Sequence, residues 1–449
     1  MNILCAYNAN IDSIVHVDCE ELTRMLEVHD NIPEKMNDPT GSISSVSDFL
    51  AGLVICMRDG TGAEWLIHDS NVFEWLKETF LERSFMRMGG NMGIMSNVLS
   101  ELGATKVIPN VASLTELQAS FFSRKAILHP YKGKLYNSSD LEHILHSGGS
   151  WQELIHFVFD FKKGDTFILS GKRISVPREN RFIATYDPLN FRLYMDEHFR
   201  EYSLEHAEEM DGAIVSGYHM LQEDLDDGDY KTRVDESLAQ LIDWKKKRAD
   251  LHLHVEMGHF SSENIASYAF STLSPVVDRI GMNEDELAIL ARVNDMDPKP
   301  ILGMDPVAIA EAAIVLCNDH GLCRMLVHTR EFVLSVSCMD EDDPELIIQA
   351  MDFGVKCAAA FACSGKLSDR DELLDMAGGI RESDPGKAAS IRLAKHMEEE
   401  WNCSGVCGIY NSYQVTIVPT RICDEPVSTV GLGDTISAAI FLRELELNS

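Results

Sequence analysis

The sequence predicts an α/β protein with a largely parallel sheet, and three observations support this prediction. Strand-like apolar runs alternate with amphipathic helical stretches through the second half of the chain. A length of 449 residues exceeds one small core, which favours two domains or one domain with an inserted subdomain. A hydrophobic fraction of 45%, with 29 Gly and 14 Pro and without a repeat, disfavours collagen, coiled coil and disorder.

The alternation can be followed element by element along the chain. Strands are predicted at 3–8, 105–111, 166–169, 213–216, 251–256, 325–329 and 414–418. Helices are predicted at 20–29, 46–58, 72–80, 232–247, 263–273, 284–293, 305–319, 344–363, 388–401 and 434–446. Such βα alternation is typical of a parallel sheet covered by helices. The mixed pattern between about 105 and 190 predicts a smaller inserted domain, suited to serve as a lid.

The net charge and the cysteines exclude several classes of protein. Because 72 Asp and Glu residues face 39 Lys and Arg, the net charge of −33 repels nucleic acids and anionic membranes. The eleven cysteines lack CxxC spacing, so neither a disulfide framework nor a zinc ribbon is expected. The apolar run 357–363 is too short to span a bilayer and the first residues lack a signal-peptide pattern. We therefore expect a cytoplasmic protein.

A glycine turn precedes the predicted C-terminal helix. Gly431 and Gly433 permit a tight bend that directs amide N–H groups and a helix N-terminus at one volume, which favours anion binding. Asp434 would then accept a proton from a nucleophile that attacks a bound phosphate. The alternative is that Asp434 is an ordinary helix N-cap. A Walker motif is absent, and GLGDTI lacks the third glycine of a dinucleotide fingerprint, which disfavours an oxidoreductase.

Two carboxylates follow predicted strand ends and suit a hard cation such as Mg²⁺. Glu256 ends the strand 251–256, and Glu286 lies three residues after Asn283 at the start of a helix. For Glu286 the alternative is a capping box with Asn283, which requires no metal.

A basic cluster, Lys172 to Arg181, stands out in the acidic chain. Four Lys and Arg residues against one Glu would suit a phosphate, since guanidinium groups bind phosphate oxygens in pairs. The alternative is a solvated loop with scattered salt bridges.

Amide and carboxylate side chains near the first strand and the Gly-Gly segment suit sugar hydroxyls. They are Asn10, Asp12 and Asn91, and Gly90 lets the backbone come close to a ligand. Turn chemistry is the alternative for all four residues. The stretches around His328 and Val418 would offer an apolar slot for a nucleobase, or else are buried core strands.

Six segments together resemble the archaeal ADP-dependent glucokinase and phosphofructokinase family, which is ribokinase-like. The segments are NANID at 8–12, RMGGNMGIMSN at 87–97, HVE at 254–256, GMNEDEL at 281–287, VHTREF at 327–332 and PTRICDEPVSTVGLGDTIS at 419–437. The resemblance implies one kinase unit over 1–449, with a three-layer large domain and a smaller α/β lid domain. We expect the lid at about 12–75, 110–145 and 174–210 and the nucleotide-binding domain mainly at 211–449.

The resemblance also implies roles for individual residues. Asp434 would be the base, assisted by Gly431, Gly433 and Arg181. The sugar would be bound by Asn10, Asp12, Glu64, Gly90, Asn91 and Lys172. The nucleotide would be bound by Arg181, Asn283, His328, Val418 and Gly433. Magnesium would be held by Glu256, Glu286 and Asp434.

The implied activity is transfer of the β-phosphoryl group of ADP to fructose 6-phosphate, which yields fructose 1,6-bisphosphate and AMP. Glu64 resembles a glutamate that glucokinases use on glucose, so glucose is a second candidate acceptor. The alternatives are an ADP-dependent glucokinase only, or a noncatalytic nucleotide or sugar sensor on the same fold. An intact Asp434 argues against a sensor, because a carboxylate next to phosphate would only weaken binding.

Overall fold

The computed structural model describes residues 1–29, 31–140, 153–225, 227–338, 343–399, 401, 405–428 and 430–449. The chain divides into two compact units, each discontinuous in sequence. Unit 1 comprises Met1–Ala9, Gly90–Gly149 and Leu189–Ser449, and unit 2 comprises Asn10–Gly89 and Ser150–Pro188.

Unit 1 is built on a nine-stranded sheet. Six neighbouring strands pair in parallel, so their carboxyl ends lie at one edge of the sheet. The order of the strands across the sheet is Val406–Tyr410, Tyr413–Pro419, Phe332–Cys338, Arg324–His328, Arg279–Asn283, His252–Glu256, Gly212–Val215, Asn2–Ala6 and Lys106–Pro109.

The prediction of a parallel sheet is wrong for the three strands at one end, which pair antiparallel. Three residues separate Arg324–His328 from Phe332–Cys338, too few for the crossover that parallel pairing requires. Only Asn411 and Ser412 join Val406–Tyr410 to Tyr413–Pro419, and both have positive φ angles, as a tight hairpin turn demands.

Helices of unit 1 pack on this sheet through an apolar core that includes Leu4, Val255, Ile280 and Val327. The helices are Asn91–Glu101, Glu116–Ser120, Glu197–Glu205, Tyr230–Lys247, Glu263–Leu273, Glu284–Val293, Pro298–Leu302, Pro306–His320, Pro344–Ser364, Arg370–Ala377, Asp384–His396 and Leu432–Leu447. Unit 1 also contains two short hairpins, His129–Tyr131 with Lys134–Tyr136 and Asp224–Leu225 with Gly228–Asp229.

The helix Pro344–Ser364 is long and apolar enough to cross a membrane by length and composition, and it extends well beyond the apolar run 357–363. Sixty-one per cent of its most apolar stretch is buried within the protein. Gly354 leaves room for Ile436 and Ile440 of the C-terminal helix, which packs directly against it. Packing inside unit 1 thus accounts for the apolar composition of this helix.

Unit 2 is built on a six-stranded mixed sheet with its own aromatic core around Phe49, Phe159 and Phe182. The strand order is Ser42–Ile43, Ala63–Ile67, Asn180–Tyr186, Ile155–Phe161, Asn10–His16 and Phe85–Gly89. The helices are Cys19–Val28, Ile32–Asn37, Val46–Asp59 and Ser70–Phe80. A separate hairpin pairs Thr166–Leu169 with Lys172–Ser175.

All seven predicted strands and all ten predicted helices overlap observed elements. The boundaries of the smaller unit differ from those predicted for the lid. The segment 12–75 lies in unit 2, whereas the described part of 110–145 lies in unit 1 and 174–210 is divided at Pro188. The reason is packing, because Ile127 pairs with the edge of the large sheet and Phe199 joins the core of unit 1.

One disulfide joins Cys363 to Cys423, with a Cα–Cα distance of 5.6 Å. No disulfide framework was expected from the spacing of the cysteines, and this pair is the single bridge among the residues that the structure describes. Sixty residues separate the two cysteines, so their spacing in the sequence gives no sign that the fold brings them together.

Candidate active site

The glycine turn lies at the start of the C-terminal helix Leu432–Leu447. Gly431 is the N-cap residue, with φ of 79°, and Asp434 lies in the first turn. Asp434 is therefore not the N-cap, which removes the ordinary capping alternative. The first amide N–H groups of a helix have no partners within that helix, and the helix dipole adds positive potential there. The turn thus places a carboxylate at a helix N-terminus, where the local potential favours an anion.

His328 lies directly against this turn. A Cβ atom added to Gly433 would be 2.8 Å from Cε1 of His328, so the close approach of the imidazole requires glycine. Burial lowers the pKa of His328, but Glu256, Glu286 and Glu284 outweigh it and raise the pKa to about 9. His328 therefore carries a positive charge beside the turn at neutral pH.

Glu256 ends its strand among buried histidines. Its Oε1 lies 2.7 Å from Nε2 of His328, and its Oε2 lies 3.1 Å from Nε2 of His254. Burial raises the pKa of Glu256, but the two histidines outweigh it and lower the pKa to about 2. Gly281 of the neighbouring strand provides the space for this carboxylate.

Glu286 forms the capping box that the sequence allowed. Its side chain accepts from the Asn283 backbone, and the Asn283 side chain accepts from the Glu286 backbone. Glu286 is buried, and this burial, together with the negative charge of Glu256, raises its pKa to about 7. The carboxylates of Glu286 and Glu256 thus repel each other. A capping box does not by itself require a second carboxylate nearby.

These carboxylates fit a hydrated magnesium ion. Their oxygens are the donors that Mg²⁺ prefers, and a nearby cation would offset the repulsion that raises the pKa of Glu286. Among the described residues no group of three or more His, Cys, Asp or Glu is arranged to coordinate a metal directly. Because Mg²⁺ usually retains several waters, Glu256 and Glu286 suit contact through water.

A cavity of about 470 Å³ opens beside the turn in unit 1. Asn283, His328 and Gly433 line it, as does the small-residue face of the helix Pro344–Ser364 with Ala358 and Ala359. The volume and the largely apolar lining suit a nucleobase. Val418 is instead buried in the core with Leu326 and Val333, as the alternative for that strand proposed.

The predicted sugar ligands Asn10, Asp12 and Glu64 lie in the sheet of unit 2. The Asn10 amide donates to Oδ1 of Asp12 at 3.0 Å, and Gly89 leaves room for both side chains. Burial raises the pKa of Asp12 and Glu64 raises it further, against the lowering effect of His156 and Arg87. Asn10 and Glu64 thus both influence the pKa of Asp12, so the structure brings these three predicted ligands near one another.

Register places further polar residues in the same row of the sheet. Arg87 pairs with Asp12, Asp12 with His156, and His156 with Thr185, so their side chains share one face. Nε2 of His156 lies 3.0 Å from Oδ2 of the buried Asp187. Burial lowers the pKa of His156, but Asp187, Glu64 and Asp12 outweigh it and raise the pKa.

Sequence reasoning did not propose His156, Thr185 or Asp187 as site residues. The available signal was the lone histidine in the apolar strand Ile155–Phe161, of sequence IHFVFDF. A histidine in such a strand either is buried in the core with a hydrogen-bond partner or faces a binding site. Only the pairing of His156 with Asp12 in the sheet distinguishes these two possibilities.

The other predicted residues lie at separate places. Gly90, with φ of 75°, is the N-cap of the helix that begins at Asn91 in unit 1. Lys172 is exposed on the hairpin of unit 2. Arg181 lies on a strand of the six-stranded sheet, with Nε 3.9 Å from Oδ1 of Asp160. The predicted basic cluster is therefore spread over a hairpin and a sheet strand.

Comparison with known proteins agrees with the fold and with the motifs of the site. A family model described as the ADP-specific phosphofructokinase/glucokinase conserved region matches residues 1–443. An ADP-dependent glucose/glucosamine kinase of Pyrococcus abyssi is 30% identical over 100% of this chain and 95% of its own. An ADP-specific phosphofructokinase of Methanosarcina acetivorans is 30% identical over 98% of this chain and 92% of its own length. A solved ADP-dependent kinase complex with fructose-6-phosphate and ADPbetaS is 28% identical, with a TM-score of 0.79. The match covers 99% of this chain and 93% of that chain.

The α/β fold, the glycine turn with its aspartate and the adjacent cavity define a ribokinase-like phosphotransferase. Within that class, the match over residues 1–443 is specific. The chain belongs to the ADP-specific phosphofructokinase/glucokinase family and is an ADP-dependent kinase.

Proposed function

We propose that the protein transfers the β-phosphoryl group of ADP to fructose 6-phosphate, with glucose as a second acceptor. The observation that carries this proposal is the placement of Asp434 in the first turn of a helix whose N-terminus has no side-chain cap. Relatives similar over nearly the whole chain are a glucose/glucosamine kinase and a phosphofructokinase, which supports both acceptors. The products are fructose 1,6-bisphosphate or glucose phosphate, together with AMP.

On the donor side, the base of ADP occupies the cavity lined by Ala358 and Ala359, and the diphosphate faces the glycine turn. Amide groups of the turn and the charge of His328 stabilise negative charge on the transferring group. Arg181 adds a guanidinium group to the phosphates. Asp434 accepts the proton of the attacking sugar hydroxyl.

Magnesium belongs to the same proposal. Glu256 and Glu286, both buried, would hold the ion together with Asp434. When bound, magnesium would neutralise charge on the diphosphate and its leaving group.

On the acceptor side, the polar face of unit 2 binds sugar hydroxyls. Asp12 and Asn10 accept and donate hydrogen bonds there, and Glu64 adds a second carboxylate. Gly90 and Asn91 are further proposed sugar ligands, which would offer a backbone and an amide. Lys172 binds the phosphate of fructose 6-phosphate, which the net charge of −33 would otherwise repel.

The test is a coupled assay that crosses ADP and ATP with fructose 6-phosphate and glucose, run on the wild type and on Asp434→Ala. We expect turnover with ADP, and loss of at least a thousandfold in the variant while AMP still binds by calorimetry. Asp375→Ala, at an exposed helical position, is the matched control.

Two outcomes would overturn the proposal. Full activity of Asp434→Ala would exclude the base, and nucleotide binding without turnover in every arm of the wild-type assay would favour a sensor.

A further inference from the structure

Thr185 is a buried residue that contacts a predicted sugar ligand in unit 2. Its hydroxyl donates to Oε1 of Glu64 at 2.5 Å across two neighbouring parallel strands. Thr185 has 0% exposure, whereas Glu64 is exposed. One end of this hydrogen bond is therefore anchored in the core and the other reaches the surface.

The contact restricts an otherwise mobile side chain. An exposed glutamate samples many rotamers, and holding it in one costs conformational entropy. A threonine hydroxyl has a single proton to donate, and here Oε1 of Glu64 receives it. Oε2 of Glu64 then has a defined direction from which to accept further hydrogen bonds.

The neighbouring groups indicate which ligand the held carboxylate favours. Glu64 shares its sheet face with Asp12 and His156, and its charge influences the pKa of both residues. A carboxylate accepts hydrogen bonds from hydroxyl groups but repels a phosphate. A fixed Glu64 therefore favours a neutral hexose over a sugar phosphate.

We propose that Thr185 is a positioning residue that sets acceptor specificity by orienting Glu64 toward an unphosphorylated hexose. This inference rests on the proposed function, since it assigns a role within the same acceptor site. Thr185 acts through Glu64 and does not itself contact the sugar. When the Thr185 hydroxyl is removed, Glu64 retains its charge but loses its defined orientation.

The experiment compares Thr185→Val, which removes the hydroxyl at nearly constant shape, with Thr185→Ser, which retains it. We expect the ratio of kcat/KM for glucose to kcat/KM for fructose 6-phosphate to fall about tenfold in the valine variant, mainly through KM for glucose. The serine variant should restore the ratio. Thr79→Val, whose hydroxyl bonds the Trp75 carbonyl of its own helix, is the control in unit 2.

A double-mutant cycle with Glu64→Ala separates positioning from simple destabilisation. If Thr185 acts through Glu64, adding Thr185→Val to Glu64→Ala should leave the ratio unchanged. Additive losses, or equal losses for both sugars with a lowered unfolding temperature, would show a merely structural role and overturn the inference. Thr185→Ala repeats the comparison should the valine variant fail to fold.

The two proposals fail in different ways. A wild type that phosphorylates neither sugar contradicts the proposed function. An active wild type whose sugar preference survives Thr185→Val contradicts only the role of Thr185.

Discussion

The two glycines of the turn serve different physical purposes. Gly431 has φ of 79°, a left-handed conformation that side chains rarely adopt. Gly433 is required because the ring of His328 occupies the space of a side chain. The sequence indicated a tight bend from both glycines, but the second requirement depends on a histidine more than a hundred residues away.

At this residue scale we expect Gly433→Ala to impair both catalysis and folding. The added methyl group must displace His328, which Glu256 holds by a hydrogen bond of 2.7 Å, or else shift the turn. Overpacking of this kind costs about 1–3 kcal/mol of unfolding free energy. We also expect kcat to fall at least tenfold, because the turn amides move relative to Asp434.

Steady-state kinetics and denaturant unfolding measure these two effects. Gly379→Ala is the control, because a Cβ atom there would meet nothing closer than 3.8 Å. Wild-type kcat and stability in Gly433→Ala would show that His328 does not constrain the turn.

At the scale of elements, the disulfide connects two segments that line the cavity beside the glycine turn. Cys363 lies near the end of the helix Pro344–Ser364, and Cys423 lies beyond the strand Tyr413–Pro419. Cys423 itself lines the cavity, next to Ile422. The cavity wall thus depends on a covalent contact as well as on packing.

We expect a reducing agent to lower the stability of the protein. A disulfide between residues 60 positions apart reduces the entropy of the unfolded chain. In the loop-entropy model this raises the free energy of unfolding by ~4 kcal/mol. Guanidinium unfolding with and without reductant measures the difference. The double variant Cys363→Ser with Cys423→Ser should unfold at the lower midpoint and lose its response to reductant. A reductant effect that persists in the double variant would contradict this origin.

At the scale of the whole molecule, the acidic charge must be reconciled with anionic substrates. A net charge of −33 repels ADP and sugar phosphate at long range. We therefore expect attraction from local groups, such as the helix terminus at Gly431, the charge of His328 and the exposed Lys172. The same charge repels itself within the folded chain.

We expect added salt to stabilise the protein at neutral pH. Raising ionic strength from about 0.1 M to about 1 M shortens the Debye length from about 10 Å to about 3 Å, which weakens this self-repulsion. The unfolding temperature should therefore rise with sodium chloride. Near the pI of about 4.8 the net charge vanishes, and the salt effect should shrink. An equal salt effect at both pH values would indicate a cause other than charge.

Motifs confined to a few neighbouring residues could be predicted from the sequence. The capping box of Asn283 and Glu286 and the glycine turn before Asp434 are determined by residues close along the chain. The predicted elements rest on hydrophobic periodicity, which reflects which face of each strand or helix is buried. Family membership followed from the order of such motifs along the chain.

Tertiary structure alone decided which distant residues meet. Register across four strands brings Arg87, Asp12, His156 and Thr185 into one row, and folding brings His328 against Gly433. It also joined Cys363 to Cys423 and assigned the described part of 110–145 to unit 1. The physical reason is that local periodicity determines how each segment folds, whereas strand pairing and packing determine which segments become neighbours.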